Sequence, residues 1–386
     1  MQIQPSEKMS IFPESIFGQL KEAAHKKAMT GAPIYDLSLG SPDLPPDPLV
    51  KEALSNESMN NDAYGYTLGG IEKFQHAVAN YYQRRFHATL DPHKEILQTM
   101  GSQEGLVHLP FAFCNEGDIV LTTNPAYVAY EAGIKLAGAE PYSMPLREEN
   151  NFLPDLNQIP EDIAKRASLM ILNLPGNPVP AMPTHAFFEQ VISFAKKYNI
   201  LVLHDAAYSE YYFTGGPMSF LSMDGAKEVG MEINSLSKSF SLAGARIAYL
   251  AGNAQAIQIM RNFKSNLDYG TFEPIQAAAV VALNNAEEIT DKLRSIFSER
   301  HHILAKGLMD LGWEVAPSNG GMFIWAKYPS QLDDTTFVFK AIEKAGVVMI
   351  PGSIFGSEGK RFVRIALVQD TDTLEGAIKA LKELDI

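Results

Sequence analysis

Residues 169–204 carry a strand, helix, strand pattern. Leu169-Met-Ile-Leu-Asn-Leu174 is a short apolar run, residues 187–198 have helical spacing, and Ile200-Leu-Val-Leu-His204 is a second apolar run. Both runs are apolar almost throughout, which is typical of strands that helices cover on both faces. A strand, a helix and a strand in succession predict a parallel pair joined by a crossover helix. This segment therefore predicts an α/β fold.

The same alternation continues on both sides of this segment. Further strands are predicted at 96–100, 118–123, 140–146, 230–236 and 246–251, and a helix is predicted at 104–113. The connection from 239 to 245 is too short for a crossover helix, so one antiparallel strand is expected. The prediction is a mostly parallel seven-stranded sheet between helices.

The two ends of the chain differ from this central block. Pro274 is predicted as the first residue of a long helical pattern that continues to Leu311. Predicted strands at 321–327 and 362–368 then mix with helices. Chains of this length usually form two domains. We predict a large domain over residues 46–285 and a smaller α+β domain formed by residues 1–45 and 286–386.

Composition excludes several classes of partner. The net charge of −13 disfavours nucleic acid and anionic lipid surfaces, so neither is expected as a partner. Cys114 is the single cysteine, which excludes an intramolecular disulfide, and no metal is expected. The sequence has no signal-like start and no run of about 18 apolar residues, so the expected location is the cytoplasm.

Candidate functional residues follow the predicted strands. In open α/β sheets, ligands bind beyond the carboxyl ends of the strands. The residues of this kind are Ser102, Gln103, Tyr127, Asn177, Asp205, Tyr208, Ser235 and Lys238. We therefore expect the chemistry at this edge of the sheet.

Lys238 lies among small hydroxyl residues in Ser235-Leu-Ser-Lys238-Ser. A single lysine is usually a solvated surface group, but a lysine with a lowered pKa is a nucleophile toward carbonyl groups. Arg246, eight residues further on, and Ser235 offer charged and hydroxyl donors suited to a phosphate. Gly101-Ser102-Gln103 opens a predicted helix, whose amides favour an anion. Together these residues indicate a phosphate-bearing ligand beside the lysine.

The remaining candidates are ambiguous when each is taken alone. Asp205 is suited to a protonated ring nitrogen, or it caps a helix. Asn177 precedes a proline, as in many turns, and Tyr127 and Tyr208 have the context of packed aromatic residues. Arg364 has apolar neighbours on a predicted strand and requires an anionic partner, which is either a substrate carboxylate or a structural carboxylate.

The order and spacing of these residues resemble those of a known family. The positions concerned are Asn177, Asp205, Tyr208, Lys238, Arg246 and Arg364. From Gly40 to Arg364 the chain resembles the class I/II aminotransferases of pyridoxal-phosphate fold type I, the aspartate aminotransferase superfamily. The resemblance implies a pyridoxal-phosphate-dependent enzyme that moves an amino group between an L-amino acid and a 2-oxo acid by a ping-pong mechanism.

The resemblance also implies a role for each site residue. It implies that Lys238 carries the cofactor as a Schiff base and transfers protons, and that Asp205 pairs with the ring nitrogen. The phenolic oxygen of the ring is assigned to Tyr208 and Asn177, ring stacking to Tyr127, and the phosphate to Ser102, Gln103, Ser235 and Arg246. The substrate carboxylate is assigned to Arg364 and Asn177, with Gly40 in the loop that closes over it. A homodimer is implied, in which Tyr66 reaches the phosphate of the neighbouring active site.

Two other functions remain open at this point. A C–S β-lyase on the same scaffold begins with the same proton abstraction, and the sequence does not separate it from an aminotransferase. Ser235-Leu-Ser-Lys238 also fits the Ser-x-x-Lys pattern of acyl-enzyme hydrolases. That pattern requires a Lys-Thr-Gly-like strand as well, which the sequence lacks.

Overall fold

The computed structural model describes residues 1, 3–12 and 15–384 of the 386-residue chain. Residues 2, 13, 14, 385 and 386, which the predicted small domain includes, lie outside the described residues. The strands are β1 (Tyr35–Asp36), β2 (Ile96–Thr99), β3 (Ile119–Asn124), β4 (Glu140–Pro145), β5 (Ala167–Asn173), β6 (Leu201–Asp205), β7 (Gly230–Ser235), β8 (Ala248–Gly252), β9 (Glu314–Val315), β10 (Phe323–Lys327), β11 (Val347–Val348), β12 (Ile350–Pro351) and β13 (Phe362–Ala366).

The α-helices separate these strands along most of the chain. They are α1 (Ile16–Ala28), α2 (Pro48–Ser58), α3 (Glu72–Phe86), α4 (Ser102–Phe113), α5 (Val128–Leu136), α6 (Glu161–Arg166), α7 (His185–Tyr198), α8 (Ala226–Val229), α9 (Leu236–Ser239), α10 (Ala254–Lys264), α11 (Glu273–Asn284), α12 (Ala286–Asp310), α13 (Asp334–Ala345) and α14 (Thr371–Lys382).

Within the described residues, the main sheet has seven strands in the order β2-β8-β7-β6-β5-β3-β4. Strand β8 pairs antiparallel with both β2 and β7, and the other pairings are parallel. Strands β6 and β7 are buried along nearly their whole length because apolar clusters cover both faces of the sheet. The α/β prediction, with its single antiparallel strand, is confirmed.

Helix α7 shows how local sequence sets the connection between β5 and β6. The Thr184 hydroxyl accepts a hydrogen bond from the Phe187 amide at 3.1 Å and caps the first turn. Phe188 and Val191 are buried on the face toward the sheet. Asn199 ends the helix with a φ of 57°, a conformation that asparagine tolerates better than most residues. Residues 184–199 therefore form the predicted crossover.

A second layer is built from the C-terminal part of the chain. Its sheet has the order β12-β13-β10-β9 with antiparallel pairing, and β1 pairs in parallel with β11. The loop after β1 is tied to this layer, since Arg300 on α12 contacts both carboxylate oxygens of Asp43 at 2.7 and 2.8 Å. This contact fixes the loop that carries Gly40. Strands β10 and β13 of this sheet overlap the strands predicted at 321–327 and 362–368.

Several element boundaries differ from the sequence predictions. The strand predicted from Arg246 begins at Ala248, because Arg246 has a φ of 55°, which is incompatible with an extended strand. The strand predicted from Gly321 begins at Phe323 for the same reason, with Gly321 at a φ of 86°. Pro274 is the second helical residue, after Glu273. Among the described residues, no helix combines the length and apolarity that crossing a membrane requires.

Candidate active site

The carboxyl ends of β5, β6 and β7 lie side by side at one edge of the main sheet. Asn173 pairs with Asp205 in register, and its side-chain amide donates to the Asp205 carbonyl at 2.8 Å. The Asn173 Oδ1 accepts from the Asn177 amide at 2.8 Å. Asn173 therefore holds the loop of Asn177 beside Asp205, and the two predicted site residues meet at this edge.

Lys238 lies in α9, one turn beyond the end of β7. The Ser235 hydroxyl caps this turn by accepting from the Ser237 amide at 3.1 Å, and the Tyr211 hydroxyl donates to the Lys238 carbonyl at 2.8 Å. The Lys238 amine donates to the carbonyl of Gly40 in the loop after β1. The lysine is thus fixed at its backbone, while its amine reaches across the site.

The electrostatic surroundings of Lys238 favour a neutral amine. Burial and the charges of Arg364 and Arg246 together lower the pKa of Lys238 to about 8, whereas the charge of Asp205 opposes them. A lysine with such a pKa has a far larger neutral fraction near neutral pH than an ordinary lysine, so it is a competent nucleophile and base.

Asp205 is buried at the end of β6 with two donors on its carboxylate. The Tyr130 hydroxyl donates to Oδ2 at 2.7 Å, and the Ala207 amide donates to Oδ1 at 3.1 Å. Burial raises the pKa of Asp205, while these hydrogen bonds and the charges of His204 and Lys238 lower it. A buried carboxylate with this balance is suited to a cationic N–H partner.

Arg364 is a buried cation, and none of the described residues gives it a carboxylate partner. In the described part of the chain its hydrogen-bond partners are the Asn177 side-chain oxygen, at 2.8 Å, and the Ser38 carbonyl, while its Nε has none. Its guanidinium lies over the rings of Phe323 and Phe355, at 4.5 and 5.1 Å from their centroids. Burial lowers the pKa of Arg364 to about 10. This environment favours binding of an anion.

An anion site is formed where α4 begins. Gly101 has a φ of 80°, and the guanidinium of Arg246 packs so closely on it that a Cβ at this position would overlap the guanidinium. The first residues of α4 are Ser102 and Gln103, whose amides lie in the first helical turn. A helix start and an arginine at one point form a site with the chemistry that a phosphate requires.

Two tyrosines border the same space. Tyr208 is buried, packs edge-on against Phe323 at 5.7 Å between ring centroids, and lies close enough to Asn177 for that side chain to lower its pKa. Tyr127 is half-buried, and its hydroxyl donates to Gln103 at 3.3 Å. Burial raises the pKa of both tyrosines, and Asp205 raises it further. Both phenols therefore remain protonated donors at neutral pH.

The structure places most of the predicted residues together but separates one of them. Tyr66 is 83% exposed and packs on Tyr269 at 4.9 Å between ring centroids, on the outer surface of the chain. Sequence reasoning missed Tyr130 and Tyr211. Both lie on the buried sides of their segments, and nothing in the residues around them distinguishes these tyrosines from ordinary core aromatics.

One group of potential metal ligands lies apart from this site. The structure shows Glu72, His76 and His93 on the exposed surface, with one potential ligand atom from each within 4.8 Å of the others. None of these residues is among the groups that surround Lys238. The positively charged groups described around Lys238 are Arg246 and Arg364.

The chain belongs to the class I and II aminotransferases, whose family model matches residues 32–381. It is 41% identical to the LL-diaminopimelate aminotransferase of Aquifex aeolicus, with 99% of each chain covered, and 38% identical to that of Halothermothrix orenii, with 99% of this chain and 98% of the relative covered.

Solved structures agree with this assignment. Substrate-bound BacF from Bacillus subtilis matches with a TM-score of 0.95 and 37% identity, covering 100% of this chain and 99% of that one. An aminotransferase from Staphylococcus aureus matches with a TM-score of 0.91 and 29% identity over 98% and 99% of the two chains. The protein is a pyridoxal-phosphate-dependent aminotransferase that transfers amino groups between amino acids and 2-oxo acids. The names of the relatives do not favour the β-lyase or the acyl-enzyme hydrolase.

The donor set fits pyridoxal phosphate. A lysine amine, a buried carboxylate and an arginine-flanked helix start correspond to the aldehyde, ring nitrogen and phosphate of this cofactor. The unpartnered Nε of the buried Arg364 adds a place for the carboxylate of a substrate. When bound, the cofactor supplies an electron sink for the α-carbon of the substrate.

The pKa of Lys238 predicts how fast the cofactor-free protein captures pyridoxal phosphate. Only the neutral amine attacks the aldehyde, so the capture rate should rise with pH and level off above about 8. Stopped-flow absorbance across a pH series measures this rate. A rate that keeps rising toward the ordinary lysine value of 10.5 would contradict the lowered pKa.

Proposed function

We propose that Lys238 is the catalytic base, and that Arg364 with Asn177 binds the α-carboxylate of the amino acid. The observation that carries this proposal is the position of Gly40. Its carbonyl accepts from the Lys238 amine, and a Cβ placed on it would lie 3.9 Å from the Arg364 Nη1. A carboxylate on Arg364 therefore places the adjoining α-carbon within reach of the lysine.

The residues of the site divide the chemistry among them. Lys238 removes the proton from the α-carbon and returns it on the cofactor side. Asp205 holds a proton on the ring nitrogen, and Tyr208 and Asn177 donate to the ring oxygen. The proposal assigns the phosphate to Arg246, Ser235 and the start of α4 with Ser102 and Gln103, and ring stacking to Tyr127. Arg364 orients the substrate, and Gly40 covers it.

We propose LL-diaminopimelate as the amino donor. The support is the name shared by relatives that are 36–41% identical over nearly the whole chain. The experiment mixes the enzyme with LL-diaminopimelate, L-aspartate, L-glutamate and L-phenylalanine in turn and follows the half-reaction by cofactor absorbance. The half-reaction rate should be at least roughly tenfold higher with LL-diaminopimelate than with the other three, which corresponds to about 1.4 kcal/mol of discrimination.

Two other outcomes of this panel are informative. A higher rate with another donor would replace LL-diaminopimelate while leaving the aminotransferase assignment intact. Release of pyruvate and a thiol from cystathionine, without a 2-oxo acid acceptor, would contradict the predicted amino transfer and favour the β-lyase.

We also propose a homodimer in which Tyr66 contacts the phosphate bound in the neighbouring subunit. Tyr66 and Leu68 are exposed, and so are Leu267, Tyr269 and Phe272 on the segment that Tyr66 and Thr67 contact. An exposed apolar patch of this kind is typical of a protein interface.

The dimer predicts a specific effect of Tyr66→Phe. A lost hydrogen bond to a charged group costs roughly 1.5–3 kcal/mol, so the affinity for pyridoxal phosphate should fall about tenfold or more, with the dimer retained. Equilibrium dialysis and light scattering measure the two quantities. The matched control is Tyr64→Phe, because the Tyr64 hydroxyl donates to the Ser58 carbonyl of its own chain. An equal loss of affinity in both variants would contradict the role of Tyr66.

The proposed domain division is 46–285 against 1–45 with 286–386. Its support is that the main sheet lies within residues 96–252, whereas the four-stranded sheet lies within 314–366 and β1 pairs with β11. We place the smaller domain over the substrate, because it carries Gly40 and Arg364. A cytoplasmic location belongs to the same proposal and is supported by the role of such enzymes in amino-acid metabolism.

A further inference from the structure

His204 lies directly before Asp205 on β6, and its imidazole is completely buried. Its Nε2 lies 2.9 Å from the Leu174 carbonyl oxygen, and its Nδ1 lies 2.7 Å from Oε1 of Glu232 on β7. A carbonyl oxygen only accepts hydrogen bonds, so Nε2 carries a proton. A second proton lies between Nδ1 and Glu232, on one side or the other.

The other partners of Glu232 indicate where this proton lies. The carboxylate accepts from the Phe220 amide at 2.7 Å, the Ser219 hydroxyl at 2.7 Å and the Tyr82 hydroxyl at 2.9 Å. Three donors stabilise the ionised carboxylate, and a buried carboxylate requires a positive partner. The proton therefore belongs on Nδ1, which makes His204 an imidazolium.

Among the described groups that face His204, Glu232 is the one that acts as its counter-ion. The ring of Phe188 on α7 lies 5.2 Å from the His204 ring, centroid to centroid. The ring of Phe220, in the segment between β6 and β7, lies 6.5 Å from it. Helix α3 contributes Tyr82, which contacts Glu232. Among the described residues, the chain neighbour Asp205 also lies within electrostatic range of His204. The field of the imidazolium therefore acts on Asp205 with little screening by water.

This charge affects the group that faces the cofactor. Successive side chains of a strand point to opposite faces, so His204 lies behind Asp205 and leaves its carboxylate free for Tyr130 and the ring nitrogen. Burial disfavours the Asp205 carboxylate, and the positive charge of His204 opposes that effect. The contact with Leu174 also anchors the segment that leads to Asn177.

We propose that His204 is a positioning residue, held as a buried imidazolium by Glu232, whose charge keeps Asp205 ionised for the ring nitrogen of pyridoxal phosphate. The proposal rests on the proposed function only for the role of Asp205. The charge state of His204 is a property of the protein without cofactor, so it can be tested separately.

The first test is nuclear magnetic resonance of the cofactor-free protein with isotope-labelled histidine nitrogens. The His204 signals are assigned by their loss in His204→Gln. Both ring nitrogens should carry a proton at pH about 7, because Nε2 faces a carbonyl oxygen and Nδ1 faces the Glu232 carboxylate. A bare Nδ1 at pH about 7 would overturn the proposal, because the proton would then lie on Glu232.

The second test follows the carboxyl signal of Asp205 during a pH titration. His204→Gln retains a donor for the Leu174 carbonyl but removes the charge, so the midpoint should rise by about one unit and cofactor affinity should fall about tenfold. The control is Tyr82→Phe, which removes one hydrogen bond from Glu232 and leaves the ion pair. It should lower the melting temperature without moving the midpoint. Equal midpoints in His204→Gln and the wild type would overturn the role of the charge.

The two tests also separate this proposal from the proposed function. If His204→Gln does not fold, the His204 signals are assigned by elimination, through single substitutions of the other eight histidines, and the wild-type spectrum then decides the charge state. Suppose that both ring nitrogens are protonated and that Asp205→Asn binds pyridoxal phosphate as tightly as the wild type. The proposed role of Asp205 is then wrong, whereas the buried ion pair of His204 with Glu232 is confirmed. If His204 is neutral and the enzyme still requires Asp205, the inference about His204 is wrong and the proposed function is unaffected.

Discussion

Lys238→Ala should reduce amino transfer by at least about 10⁴-fold, because the substitution removes both the nucleophile that binds the cofactor and the base that moves the proton. The variant should remain folded. The wild-type amine is buried and its pKa is lowered, so the folded state disfavours its protonated form below pH about 8, and alanine removes this cost. Single-turnover kinetics and thermal unfolding measure the two effects.

The matched control is Lys196→Ala, since Lys196 forms an exposed ion pair with Glu228 at 2.8 Å. Exposed pairs contribute roughly 0–1 kcal/mol, so this variant should resemble the wild type in both assays. A Lys238→Ala protein that transfers amino groups at the wild-type rate would refute the assignment of the catalytic base. Loss of folding in Lys238→Ala would contradict the expected stability.

The fold was largely predictable because its signals are local. Runs such as 169–174 and 200–204 are apolar on both faces, which requires helices above and below the sheet. Boundaries were less predictable. Arg246 and Gly321 adopt positive φ values that end or delay a strand, and those values depend on contacts made by distant parts of the chain.

The sequence could indicate those candidate site residues that come shortly after a strand. Asp205, Lys238 and Asn177 stand out because polar residues follow apolar runs. Tyr130 and the pair of His204 with Glu232 were not predictable, because a histidine or tyrosine within a strand or helix has no sequence mark of a partner. Their roles depend on which strands lie side by side, and strand order is a property of the complete sheet.

Arg364→Lys should lower kcat/KM for the amino donor by about 10²-fold or more. Arg364 contacts the Asn177 oxygen and the Ser38 carbonyl, and its unpartnered Nε lies in a buried space between Phe323 and Phe355. A lysine keeps the charge but loses the planar fork, which binds a carboxylate through two hydrogen bonds. Truncating one partner of a buried charge pair costs roughly 2–5 kcal/mol. Steady-state kinetics with the preferred donor measures the change.

The distribution of this loss between KM and kcat tests the geometry. Since the carboxylate is held in both ground state and transition state, KM should rise, and kcat should fall because the α-carbon is misplaced relative to Lys238. The control is Arg361→Lys on the same segment, whose guanidinium donates to the Leu332 carbonyl and lies over the Tyr328 ring at 5.2 Å. Arg361→Lys should leave both constants near the wild-type values. If the two variants lost kcat/KM equally, the effect would come from the strand rather than from carboxylate binding.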